Sequence, residues 1–137
     1  MSGIVVDASV ALAWCFPDES SDDADQVLTK LKGQTILVPA VWALEISNAL
    51  LVGERQKRLK QPEISRFIGL LGGLSVFQDS QPVSESVVNI LPLARDYGLS
   101  AYDAAYLELA IRHNAPLATL DGSLQKAARK AGVPTFP

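Results

Sequence analysis

The 137-residue sequence holds one cysteine, one histidine and one methionine, only 7% of it is aromatic, and no apolar run approaches the roughly 18 residues a membrane helix needs. Each shortage excludes something. A lone Cys15 closes no intramolecular disulfide and builds no zinc–thiolate centre; it fits a reducing cytoplasm and reads as a small core hydrophobe. A lone His113 rules out three-histidine zinc sites, HExxH pairs and two-histidine iron triads within one chain. The apolar start Ile4-Val5-Val6 is cut by Asp7 with no Lys or Arg ahead of it, so neither a signal peptide nor a membrane span is expected. Twelve basic residues against fifteen acidic ones give a net charge of −3, which excludes nucleic-acid binding through overall charge and leaves only a local patch for it. What remains is 48% apolar, without internal repeats or low-complexity linkers, and is expected to form one globular domain over residues 1–137.

Short apolar runs alternate with longer stretches of helical period. Strands are expected at residues 4–6, 35–38, 74–77, 116–119 and 133–136, and helices at 10–15, 22–32, 41–57, 62–71, 84–97, 101–112 and 123–131. Pro39 and Pro62 stand near helix starts, while Gly33, Gly98 and Gly132 stand just past helix ends. The segments between strands are long enough for crossover helices, so the expected fold is α/β, a three-layer α/β/α sandwich whose central parallel sheet is covered on both faces.

In an open parallel sheet, ligands gather beyond the carboxyl ends of the strands. Asp7 follows the first apolar run and Asp121 the fourth, while Glu45 and Asp103 lie early in helices that such strands feed. Each acid also has a purely structural role open to it. Asp7-Ala8-Ser9 reads as a strand-to-helix turn with Ser9 as N-cap, Asp121-Gly122 as a turn that caps the last helix, and Ser100 with Asp103 as a capping-box variant. Glu45 resists that reading. Val41, Trp42, Asn48 and Ala49 surround it at helical spacing, so it interrupts a largely apolar face, and Asp103 likewise shares its stripe with Tyr106, Leu107, Ala110 and Ile111.

No Lys or Arg occurs in residues 4–9, 42–48, 101–107 or 118–124, so a protein cation is not the expected partner of these acids. Gathered at one edge, like charges about 5 Å apart at an effective dielectric near 20 repel by roughly 3 kcal/mol per pair. Such a cluster has to hold protons or metal. Carboxylate oxygens without Cys or His select Mg²⁺ or Mn²⁺, and the chemistry that follows is attack of water on a phosphate ester.

Ile4-Val5-Val6-Asp7-Ala8-Ser9, Glu45 ahead of Ser47-Asn48-Ala49-Leu50, the run from Leu99 to Tyr106, and Ala118-Thr119-Leu120-Asp121 together resemble the PIN domain, and more closely the VapC toxins of bacterial and archaeal toxin–antitoxin pairs. The similarity spans essentially the whole chain. It implies an α/β/α fold, a Mg²⁺- or Mn²⁺-dependent endoribonuclease, a homodimer, and a small VapB-type antitoxin that blocks the site. Asp7, Glu45, Asp103 and Asp121 match the acidic quartet that is catalytic and metal-binding in such proteins. Ser9 matches a hydroxyl position that helps order the metal or its water, and Thr119 stands where it can support the same shell. Residues between Val52 and Ser84 match only loosely, as expected where members differ in target.

Residues 54–60 hold four of the twelve cations. Arg55, Lys57 and Arg58 there are candidates to grip an RNA backbone, or else cations that complement a helix C-terminus. Lys126, Arg129 and Lys130 read as a solvated helix face, Asp18-Glu19 as a loop, and Trp14, Trp42, Phe16 and Tyr106 as packing, while Tyr102 beside Asp103 is open to either packing or base stacking. Two other functions compete: an aspartyl-nucleophile phosphohydrolase, which lacks the second acid after Asp7 and a nearby lysine, and a non-catalytic protein-interaction domain in which the acids merely cap helices.

Overall fold

In the computed structural model, which describes residues 3–19 and 21–137, five strands form one all-parallel sheet: β1 (Ile4–Val6), β2 (Thr35–Val38), β3 (Ser75–Gln78), β4 (Leu117–Ala118) and β5 (Thr135–Phe136), in the order β3-β2-β1-β4-β5. Seven helices connect them: α1 (Ala8–Cys15), α2 (Asp22–Leu31), α3 (Val41–Arg55), α4 (Gln61–Gly72), α5 (Val83–Tyr97), α6 (Ala101–His113) and α7 (Gly122–Lys130). The expected parallel α/β architecture is present, with element ends shifted by one or two residues. Right-handed crossovers then fix the layers. The chain steps one way from β1 to β3 and the other way from β3 to β5, so α1–α4 cover one face and α5–α7 the other. Contacts of α1 with α2, α3 and α4, and of α6 with α5 and α7, match that division.

Apart from Thr35 at the start of β2, the inner strands are apolar because both faces are covered: Val5, Val6, Leu37 and Leu117 have essentially no exposed surface. Burying each such side chain stabilises the fold by about 1.5–3 kcal/mol. The outer strand departs from the expectation of two covered faces. All four residues of β3 are exposed, since it pairs with β2 alone.

The change of direction occurs between β1 and β4, which pair through Val5 with Leu117 and Val6 with Ala118. Chain ends that splay apart there leave a crevice beyond the strands' carboxyl ends. Asp7 and Thr119 are the residues that follow those two strands.

Candidate active site

Asp7 continues the β1–β4 pairing with its N–H, which donates to the Ala118 carbonyl (3.1 Å), and then turns the chain into α1. It, and not Ser9, is the N-cap: Asp7 Oδ1 accepts from the backbone N–H groups of Ser9 (3.0 Å) and Val10 (3.4 Å). Ser9 lies in the first turn and donates its hydroxyl to the same oxygen. Thr119, fully buried, donates its hydroxyl to Asp7 Oδ2 (2.6 Å). Each hydroxyl also accepts a backbone N–H from the loop after β4, Leu120 to Ser9 Oγ (3.1 Å) and Asp121 to Thr119 Oγ1 (3.0 Å). Two hydroxyls thus splice the segment carrying Asp121 onto the Asp7 carboxylate. Asp121 caps α7 through Ser123 N–H (2.8 Å) and Leu124 N–H (3.3 Å).

Glu45 comes from α3 and Asp103 from the first turn of α6, on opposite faces of the sheet. They meet beyond its edge. Buried Tyr106, one turn after Asp103, donates its hydroxyl to Glu45 Oε1, while Ser100 caps α6 by accepting the Asp103 N–H (3.1 Å). Asp7, Ser9, Glu45, Asp103 and Asp121 line one cleft of about 420 Å³, with Glu19, Asn48 and Tyr106 completing its polar wall. Caps and cleft are therefore not rival roles, because the same Asp7 and Asp121 fill both.

Among the described residues, no Lys, Arg or His lines this cleft. Burial pushes the Asp7 carboxyl above its ordinary range, against the lowering effect of the hydrogen bonds from Ser9 and Thr119. Glu45 is raised by burial first, and the charges of Asp103 and Asp7 add to this while Tyr106 opposes it. Asp103 is raised by burial and then by Asp121. The Tyr106 hydroxyl is driven up by burial and by Glu45, so it stays a donor. An all-oxygen donor set without a protein cation fits a hard divalent ion. The carboxylates are nevertheless more loosely set than a closed cage: among the described residues no three Asp, Glu, His or Cys side chains are grouped so as to hold a metal ion.

The PIN-domain family model matches residues 4–130. The chain belongs to the PIN-domain family. It is 30% identical over 121 residues to Ribonuclease VapC3 of Pyrobaculum aerophilum, covering 88% of this chain and 91% of that one. Among solved structures, a Pyrobaculum aerophilum protein superposes with a TM-score of 0.70 at 24% identity, over 98% of this chain and 83% of that one. VapBC2 of Rickettsia felis, solved on a DNA fragment from its promoter, superposes with a TM-score of 0.63 at 18% identity, over 96% of each chain. These last two likenesses show the fold alone.

In this PIN domain the remaining candidates fall elsewhere. Arg58 is bound to Asp18 (3.0 Å) and Glu19 (2.7 Å) and lies 4.3 Å over the Phe16 ring, so it clamps the 3₁₀ turn Pro17–Glu19 at the cleft's edge. Arg55 ends α3 exposed, and exposed Lys57 follows in a left-handed conformation (φ 60°). His113 sits on Asp79 (3.2 Å), away from the cleft. Sequence reasoning took Tyr106 as packing and Glu19 as loop. Tyr106's spacing, three residues from Asp103 on one helix face, was a usable signal; Glu19 offered none.

Proposed function

We propose that this protein is a Mg²⁺- or Mn²⁺-dependent endoribonuclease, the toxin of a toxin–antitoxin pair. The observation that carries the reading is one cleft at the sheet's switch point lined by Asp7, Glu45, Asp103 and Asp121 and by no cation. The likeness to Ribonuclease VapC3 supports RNA as substrate. Glu45, Asp103 and Asp121 present carboxylate oxygens from three helices, and Asp7 is held at the floor by Ser9 and Thr119. Tyr106 takes Glu45 Oε1 and leaves Oε2 to a ligand. Asp7, Glu45, Asp103 and Asp121 would hold a divalent ion, which when bound would activate a water and offset charge on the phosphate oxygens. The chain's own part is to fix the carboxylates on rigid strand and helix ends; hydrolysis there forms a bond from the water oxygen to phosphorus as the P–O bond to the leaving oxygen breaks, one water proton passing to the leaving oxygen and the other to solvent. Arg55 and Lys57 contribute grip on the RNA backbone, whereas Arg58 braces the cleft's rim. A small VapB-type protein covers the cleft when the toxin is silent, and the chain works in the cytoplasm as a homodimer. No helix among the described residues is long and apolar enough to cross a membrane.

Purified protein incubated with total RNA is expected to cleave it with Mn²⁺ or Mg²⁺ and not with EDTA, and an Asp7→Asn/Asp103→Asn variant is expected to lose at least about 10²-fold in rate. Equal cleavage by that variant defeats the assignment. No cleavage by the wild type, together with no binding of Mn²⁺, favours the non-catalytic interaction domain instead.

A further inference from the structure

A second groove of about 320 Å³ runs between the α5–α6 junction and α7, lined among others by Asp96, Leu99, Ser123, Lys126 and Lys130. Its two walls are the segments that lead into the acidic cleft. Leu99 stands four residues before Asp103, and Ser123 two after Asp121, so the groove lies along the segments that carry these two acids. Lys126 and Lys130 are one helical turn apart on the same face of α7. At 1.5 Å rise per residue they stand about 7.5 and 13.5 Å beyond Asp121 along the helix axis.

These lysines are also uncommitted, whereas four other cations are taken. Arg58 and Arg112 are taken by carboxylates, Lys30 lies over the Phe136 ring, and Arg129 donates to Thr135 Oγ1 (3.2 Å). Among the described residues neither Lys126 nor Lys130 enters an ion pair, although Asp96 lies on the opposite lip. A strand whose phosphate enters a cleft of four acids needs positive charge on its flank, and a groove walled by the helix that Asp121 caps supplies it.

We propose that single-stranded RNA leaves the acidic cleft over Asp121 and lies in the α7 groove, with Lys126 and Lys130 each receiving one phosphate. The inference rests on the ribonuclease reading and names a path for its substrate. Binding of a labelled, uncleavable 2′-O-methyl single-stranded RNA of about 12 nucleotides is followed by fluorescence anisotropy across a salt series. Two phosphate contacts on a single strand contribute about 1.4 to the log–log salt slope, so the Lys126→Gln/Lys130→Gln variant is expected to have a slope smaller by that amount; between about 50 and 200 mM salt the wild type loses about sevenfold more affinity. A Lys126→Arg/Lys130→Arg variant keeps the slope. If the Gln variant binds with the wild-type slope and affinity while the wild type still cleaves RNA, the groove is not the path and the nuclease stands. If the wild type neither binds nor cleaves RNA, both readings fall together.

Discussion

Asp7 shows how one residue carries both structure and chemistry. It has 5% exposure, caps α1, and receives two hydroxyls, yet it still prefers its neutral form more than a free aspartate does because burial outweighs those bonds. An acid whose pKa is higher folded than unfolded makes the native state bind more protons, so stability falls as pH rises from about 3.9, its unfolded value, through the raised folded value. In metal-free buffer the stability of the wild type is therefore expected to fall, relative to Asp7→Asn, as pH rises from about 4 towards 7, because the amide does not titrate. The asparagine oxygen keeps the helix cap. Thermal melts from pH 4 to 8 in EDTA check this; a variant with the same pH slope as the wild type shows that the carboxylate is not frustrated. The sequence made Asp7, Ser9 and Thr119 visible as residue types after strands. It did not reveal that Tyr106 and Glu45 meet, because 61 positions separate them and no periodicity encodes a contact across the sheet's edge.

Among the elements, α3 shows what local pattern captures and what it misses. Helical period predicts it through residue 57, but it ends at Arg55 because the N–H groups of Arg58 (2.8 Å) and Leu59 (3.3 Å) fold back onto the Gly53 carbonyl. Gly53 also lets Phe16 come close: a Cβ there would lie 2.7 Å from the Phe16 ring, and that ring in turn carries Arg58. Gly53→Ala is expected to lower stability by about 1–2 kcal/mol, since overpacking outweighs the gain of roughly 1 kcal/mol in helix propensity. Gly69→Ala in α4, where nothing lies within 4 Å, should instead gain up to about 1 kcal/mol. Urea melts of the two variants separate the effects, and a stabilising Gly53→Ala would remove the steric account. Starts and stops elsewhere were legible because they are local: Ser100 accepts the Asp103 N–H, and Gly98 ends α5 with φ 65°. The bareness of β3 was not, since the apolar run that marks a strand at 74–77 does not say that the strand order puts it at an edge.

Over the whole molecule, the apolar surface is unevenly finished. No residue of α5 is buried, and Val83, Val88 and Tyr102 are exposed by 81, 68 and 64%. Val41, Val87, Leu91 and Tyr102 border a largely apolar depression of about 320 Å³ between α5 and α6. Sequence period identifies such a face as apolar but carries no information on what covers it. Isolated exposed hydrophobics need no explanation, whereas a contiguous apolar patch marks an interface. A second copy of the chain is the occupant that the proposed homodimer supplies, and a two-fold interface pairs the patch with itself, so one substitution acts twice. Size-exclusion chromatography with light scattering is expected to give twice the 14.7 kDa chain mass for the wild type and a single chain for Val87→Asp/Leu91→Asp. The acid cleft lies on other residues, so the monomeric variant should keep its affinity for Mn²⁺. A wild type that runs as one chain at every concentration, or a doubly substituted variant that stays paired, removes this face as the dimer contact.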